Sequence, residues 1–147
     1  MSVQRMDHVG VVVEDLQEAV AFFVELGLEA QGDGPQQVEG AWVDAVVGIE
    51  GVRCEIQFVA TPDGHSRLEL TRFHAPDVVA PSMTPNTLGL RRLMFAVDDI
   101  DDTVRRLEAI SGELVGEIAQ YEDVYRLCYF RGPSGIIVAL AEELQPG

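Results

Sequence analysis

Two stretches of the chain carry one pattern of apolar and polar positions. Residues 6–16, MDHVGVVVEDL, and residues 90–100, LRRLMFAVDDI, each run through a short apolar alternation and then meet acidic residues. Alternation at period two marks a strand with one face toward a core. Laid over one another, Val9 meets Leu93, Val11 meets Phe95, Val13 meets Val97, Asp15 meets Asp99 and Leu16 meets Ile100. His8 meets Arg92. A helical period follows in both places: Leu16, Val20, Phe23 and Leu26 up to a stop at Gly27, then Ile100, Val104, Leu107 and Ile110. The acids Glu14–Asp15 and Asp98, Asp99, Asp101 and Asp102 stand where the positive end of a helix dipole favours them. That accounts for the second group better than a calcium loop does.

The remaining elements follow in order. Gly32, Gly34 and Pro35 mark a turn, 37–39 a strand, and 41–49 a short helical insertion packed on the core. Residues 52–60 read as a strand and 61–64 as a turn. In the strand 67–73, RLELTRF, Leu68 and Leu70 face one side, Glu69 and Thr71 the other. Residues 75–89, with Pro76, Pro81 and Pro85, read as a linker. The plan then repeats: strand 92–97, helix 99–110, strands 113–119 and 124–131, a tight turn at 132–135, and a last strand over 136–141. The fold expected is α+β: one domain over residues 1–147, built from modules 3–74 and 90–144 that each read β-α-β-β-β. A four-stranded sheet with one helix leaves a face uncovered, and the two modules are expected to curl as a cupped mixed sheet around a shared cleft.

Charge narrows the partners. The formal net charge is −15, from 25 acidic and 10 basic residues. That sets nucleic acid and anionic membranes aside and suits a cationic ligand. No stretch approaches the roughly 18 apolar residues of a membrane span, and the opening MSVQRMDH has no apolar signal segment, so a cytoplasmic protein is expected. Cys54 and Cys128 lie in apolar strand patterns and read as buried thiols. His65 and His74 flank loops and read as solvated.

The segments DHVGVVVEDLQEAVAFF, RLELTRF, LMFAVDDIDD and YFRGPSGIIVAL, in this order, resemble the glyoxalase, bleomycin-resistance and extradiol-dioxygenase group, the vicinal oxygen chelate superfamily. The resemblance implies paired βαβββ modules, a small-molecule ligand and a homodimer. Members with a catalytic metal place one ligand on each of four strands. Carried over, these positions are His8, Glu69, Arg92, where the pattern HxxF reads RLMF, and Ala139, where I-E-L reads VAL. The implied divalent metal, Zn, Fe, Mn, Ni or Co, therefore meets an incomplete site of His8 and Glu69. Arginine has no lone pair to offer and stays protonated. At about 4 Å and an effective dielectric near 20, a unit pair of charges is worth about 4 kcal/mol, and a doubly charged metal roughly doubles the repulsion from Arg92.

Three readings follow. In the first, Arg92 forks onto Glu69, the site binds a small organic molecule, Arg92 orients an anionic or carbonyl oxygen, and His8 or Glu69 serves as general base of a lyase or isomerase type of reaction. Tyr121 and Tyr129, with Tyr125, line the ligand. In the second, a metal-dependent glyoxalase- or dioxygenase-like enzyme recruits a third ligand such as Glu122, Glu55 or His65. In the third, the protein sequesters a cationic drug without catalysis.

Overall fold

The computed structural model describes residues 4–79 and 84–144. The chain falls into two units, Met1–Val79 and Ala80–Gly147. The first holds β1 (Val9–Val12), α1 (Leu16–Leu26), β2 (Glu29–Ala30), β3 (Gln36–Glu39), α2 (Ala41–Val47), β4 (Arg53–Ala60) and β5 (Arg67–Ala75). The second holds β6 (Arg92–Ala96), α3 (Ile100–Ile110), β7 (Glu113–Leu114), β8 (Ala119–Tyr121), β9 (Tyr125–Arg131), a 3-10 turn at Pro133–Gly135 and β10 (Ile137–Glu143). Residues 80–83 of the expected linker lie outside the described residues, and β5 runs on to Ala75.

Each unit forms one mixed five-stranded sheet, β1-β5-β4 with β2 and β3 both on β4, and β6-β10-β9 with β7 and β8 both on β9. The outer pairs β1/β5 and β6/β10 are parallel and the other pairings antiparallel. A parallel pair cannot be closed by a hairpin, which is why a helix follows β1 and β6. With three helices among the described residues, this is the α+β fold expected. Two expectations need correction. The opening strand begins at Val9, so His8 stands one residue before it. The strand expected over 113–119 is two short ones, β7 and β8. The first half is broken the same way, and there Gly32, Gly34 and Pro35 announced the break; in the second half Gly116 was the only sign.

Sheet register makes the internal repeat exact at the residue level. Val9 pairs Leu68, Gly10 pairs Glu69 and Val11 pairs Leu70; in the second unit Leu93 pairs Val138, Met94 pairs Ala139 and Phe95 pairs Leu140. On the inner side Phe58 pairs Glu69, and Tyr129 pairs Ala139. Ala139 therefore holds the place of Glu69, and Tyr129 that of Phe58. Paired residues share a face. Leu68, Leu70 and Val59 in one unit, and Val138, Leu140, Cys128 and Phe130 in the other, are buried on the helix-covered face. Burial of each such side chain stabilises by about 1.5–3 kcal/mol.

Helices α1 and α3 start on the same device. The Asp15 carboxylate accepts from the Glu18 amide at 3.0 Å, and that of Asp99 from the Asp102 amide at 3.0 Å. Each satisfies an amide that the first helical turn leaves unpartnered. The C-cap Gly27, at φ 127°, turns the chain out of α1 while its amide reaches back to the Phe23 carbonyl. The insertion 41–49 is helical over Ala41–Val47. Its Val43 is buried against Val52 and Cys54, with Val38, Ile56 and Phe73 packed around them. Register puts Cys54, Ile56 and Phe73 on the face of Glu69, so α2 sits on the side opposite the Leu68–Leu70 face. The Asp44 carboxylate accepts from the amides of Gly51 and Val52, at 2.9 Å each, and ties α2 to the start of β4.

Gly112, at φ 94°, passes so close to β9 that a Cβ would lie 2.2 Å from the Arg131 carbonyl oxygen and 2.6 Å from the Phe130 ring. Gly112→Ala is expected to cost at least about 2 kcal/mol in urea unfolding, from backbone strain and overpacking together. Gly116→Ala, whose Cβ would meet nothing within 4 Å, is expected to leave the midpoint nearly unchanged.

Candidate functional site

The face of the first sheet that carries Glu69 also carries Gly10, Val12, Phe58 and Thr71. His8 joins them from the residue before β1. Its ring meets the Phe58 ring edge-on, with centroids 5.3 Å apart and planes at 88°. Its Nδ1 lies 2.8 Å from Asp7 Oδ2 and its Nε2 3.8 Å from Glu69 Oε2. The second Glu69 oxygen accepts from the Thr71 hydroxyl at 3.3 Å. The side chains of His8 and Glu69 are 33% and 28% exposed, accessible to a small molecule yet partly desolvated. Gly10 lies in register with Glu69, and a Cβ there would meet nothing within 4 Å, so the space beside the carboxylate is open.

Asp7 accepts three hydrogen bonds, from His8, from Arg67 Nη2 at 2.8 Å and from Arg5 Nη2 at 3.1 Å. These partners, His8 foremost, hold its carboxyl well below the usual carboxylate range. An ionised carboxylate only accepts, so the proton between Asp7 and His8 resides on Nδ1. The other ring nitrogen, Nε2, looks toward Glu69. At 3.8 Å the two are too far apart for a direct hydrogen bond and well spaced for a third atom between them.

The second unit repeats the frame with other side chains. Arg92, in the place of His8, lies with its guanidinium carbon 5.2 Å from the centroid of Tyr129, the counterpart of Phe58. The aromatic support is kept while the group resting on it has become a fixed cation. Arg92 is exposed, and Ala139, in the place of Glu69, is buried and offers a methyl group. Tyr125 shares the face of Tyr129, and Tyr121 stacks on it at 6.3 Å. Within the units, then, His8 meets Glu69 and Arg92 meets Tyr129. The Arg92–Glu69 fork would join residues of different units.

The donor set for a metal is thin. His8 Nε2 and Glu69 are two donors; Arg92 and Ala139 add none. No group of three or more His, Cys, Asp or Glu placed to hold a metal occurs among the described residues. Glu55, weighed as a third ligand, lies in register with Arg72 on the face away from Glu69 and contacts His74 Nε2 at 2.5 Å. His65 lies exposed in the turn before β5, and Glu122 in a turn of the second unit. The residues present do not make up a four-ligand site. His74 is exposed, as expected, but lies on β5 rather than beside a loop and pairs with Glu55, because the strand outlasts its alternating pattern up to Pro76. Asp7, Phe58 and Arg67 were not singled out from sequence. The adjacency of Asp7 and His8 was a visible sign; the other two are brought in by register.

Two mixed five-stranded sheets, each with a helix after its opening strand, define a glyoxalase-like α+β fold. The model of the Glyoxalase/Bleomycin resistance protein/Dioxygenase superfamily matches residues 5–140, and the chain belongs to that superfamily. The crystal structure of a glyoxalase family protein from Bacillus cereus is similar at a TM-score of 0.92 and 48% identity, over 99% of this chain and 97% of that one. The Escherichia coli K12 protein YaeR is 26% identical over 144 residues, 97% of this chain and 99% of its own. The fosfomycin resistance protein FosX of Listeria monocytogenes, at 12% identity and a TM-score of 0.63 over 99% and 95% of the two chains, shares the fold.

Glycine weakens a strand interior by roughly 0.5–1 kcal/mol relative to alanine. Gly10→Ala is therefore expected to raise the urea midpoint slightly, since its methyl enters open space. Loss of stability in this variant would show that the face beside Glu69 is closed.

Proposed function

We propose that the protein binds a small organic anion or carbonyl compound and moves a proton on it without a bound metal, as a lyase or isomerase does. Arg92, in the other unit, is a fixed cation of the kind that suits an anionic or carbonyl oxygen. His8 Nε2 is the base, and Glu69 supports the imidazolium that forms. The proton leaves a carbon next to the carbonyl for Nε2, and the electron pair moves onto the carbonyl oxygen. Returning the proton to the opposite face of the same carbon re-forms the carbonyl and completes an isomerisation; expelling a leaving group with its electron pair from the carbon beyond completes a lyase reaction.

The observation that carries this reading is the exchange at equivalent positions. His8 with Glu69 in one half becomes Arg92 with Ala139 in the other, on matching aromatic supports. One half keeps an acid–base couple and the other offers a fixed cation. A cation held over a ring gains about 0.5–1 kcal/mol in an exposed setting, enough to bias its position rather than lock it. A guanidinium suits a carboxylate or carbonyl oxygen and opposes a divalent ion.

The test uses the full chain, purified without chelator, with a panel of small 2-oxo and 2-hydroxy carboxylates in deuterated water. Metal analysis is expected to find far less than one equivalent, and proton NMR to show deuterium entering next to the carbonyl of at least one compound. His8→Ala is expected to stop that exchange. Arg92→Ala is expected to weaken binding about 10- to 100-fold, because a charge-assisted hydrogen bond is worth about 1.5–3 kcal/mol. One tightly bound metal per chain, lost in His8→Ala, would overturn the reading.

A further inference from the structure

His8 stands in a closed circuit of four side chains. Asp7 accepts from His8 Nδ1 at 2.8 Å, and Arg67 Nη2 donates to the same Asp7 oxygen at 2.8 Å. The Arg67 guanidinium carbon lies 4.3 Å from the centroid of the Phe58 ring, and Phe58 meets the His8 ring edge-on. The circuit joins the segment before β1 to β4 and β5. It fixes both the plane of the imidazole, through Phe58, and the identity of its protonated nitrogen, through Asp7. Arg5 adds a donor to Asp7 from outside, at 3.1 Å.

We infer that Asp7 is a positioning residue, held by Arg67, that keeps the Nδ1–H tautomer of His8 and so presents a bare Nε2 toward Glu69. This deepens the proposed function and rests on His8 being the base in it. The second half supplies independent support. By register Arg67 corresponds to Ile137, since Arg67 pairs Ala60 where Ile137 pairs Arg131. By the sequence repeat Asp7 corresponds to Arg91, and His8 to Arg92. Where the histidine is absent, the carboxylate and its arginine are absent too, while the aromatic support remains. A carboxylate kept only to stabilise the strand end has no reason to vanish with the histidine.

The experiment is nitrogen NMR of the full chain labelled at its histidines, at mildly alkaline pH, with the His8 signals assigned by loss in His8→Gln. Wild type is expected to show Nδ1 protonated and Nε2 unprotonated. Asp7→Ala is expected to shift the ring to the Nε2–H tautomer or to an averaged mixture, with Arg67→Met moving it part of the way. Deuterium exchange in the carboxylate panel is expected to fall about 100-fold in Asp7→Ala, the span of a mis-set general base, with KM unchanged. Asp7 is 42% exposed at its side chain, so this variant keeps its fold, and its thermal midpoint verifies that. An unchanged His8 tautomer in Asp7→Ala, or an Nε2–H tautomer in wild type, overturns the inference even where His8→Ala abolishes exchange. Tautomer loss in Asp7→Ala with full exchange in His8→Ala upholds the inference and sinks the proposed function instead.

Discussion

The pairing of β1 with β5 in parallel, Gly10 against Glu69, is the constraint on which the first half depends. Side chains alternate across a strand, so a slip by one residue would turn Glu69 into the helix-covered core and Leu70 toward solvent. Leu70 is fully buried, and the cost of exposing it and its neighbours on that face locks the register. The carboxylate is then presented by the same packing that holds the sheet together. Its chemistry needs no separate scaffold, and the glycine opposite leaves it room.

The second half uses an identical register with different side chains. There Met94 stands for Gly10 and Ala139 for Glu69, so the space beside the equivalent position is occupied and the carboxylate is gone. What persists is the aromatic residue on the middle strand, Phe58 or Tyr129. Its ring serves equally under an imidazole or a guanidinium, because either presents positive edge or charge to the π system. Duplication kept the geometry and released the chemistry of one copy. Both rings carry a cation, Arg67 over Phe58 and Arg92 over Tyr129, in a chain with formal charge −15.

The hydrophobic pattern made the two-module plan legible, and with it the helix starts at Asp15 and Asp99 and the helical insertion. These are local features, read within one or two turns of chain. The residue correspondences His8 to Arg92 and Glu69 to Ala139 were legible through the repeat and the family resemblance. The turn at Gly32, Gly34 and Pro35 was legible, but the short strand β2 before it and the split into β7 and β8 were not. The Asp7–Arg67 bond joins residues 60 apart, and no local pattern announces such a contact. The extent of β5 was misjudged for a related reason: Pro76 signals an end, yet nothing in RLELTRFHA says how far the ladder with β4 continues toward it.

One asymmetry between the halves concerns the link into the middle strand. In the second half only residues 122–124 separate β8 from β9, whereas in the first half α2 is inserted between β3 and β4. This short helix is suspended between Gly40 and Gly48, secured by the Asp44 carboxylate, and turns Trp42, Val46 and Val47 outward. It rests on the face that carries Glu69 without belonging to the sheet's hydrogen-bond ladder. Its length and composition can drift while the acid–base couple stays put. Variation in this helix is thereby uncoupled from the positions that carry His8 and Glu69.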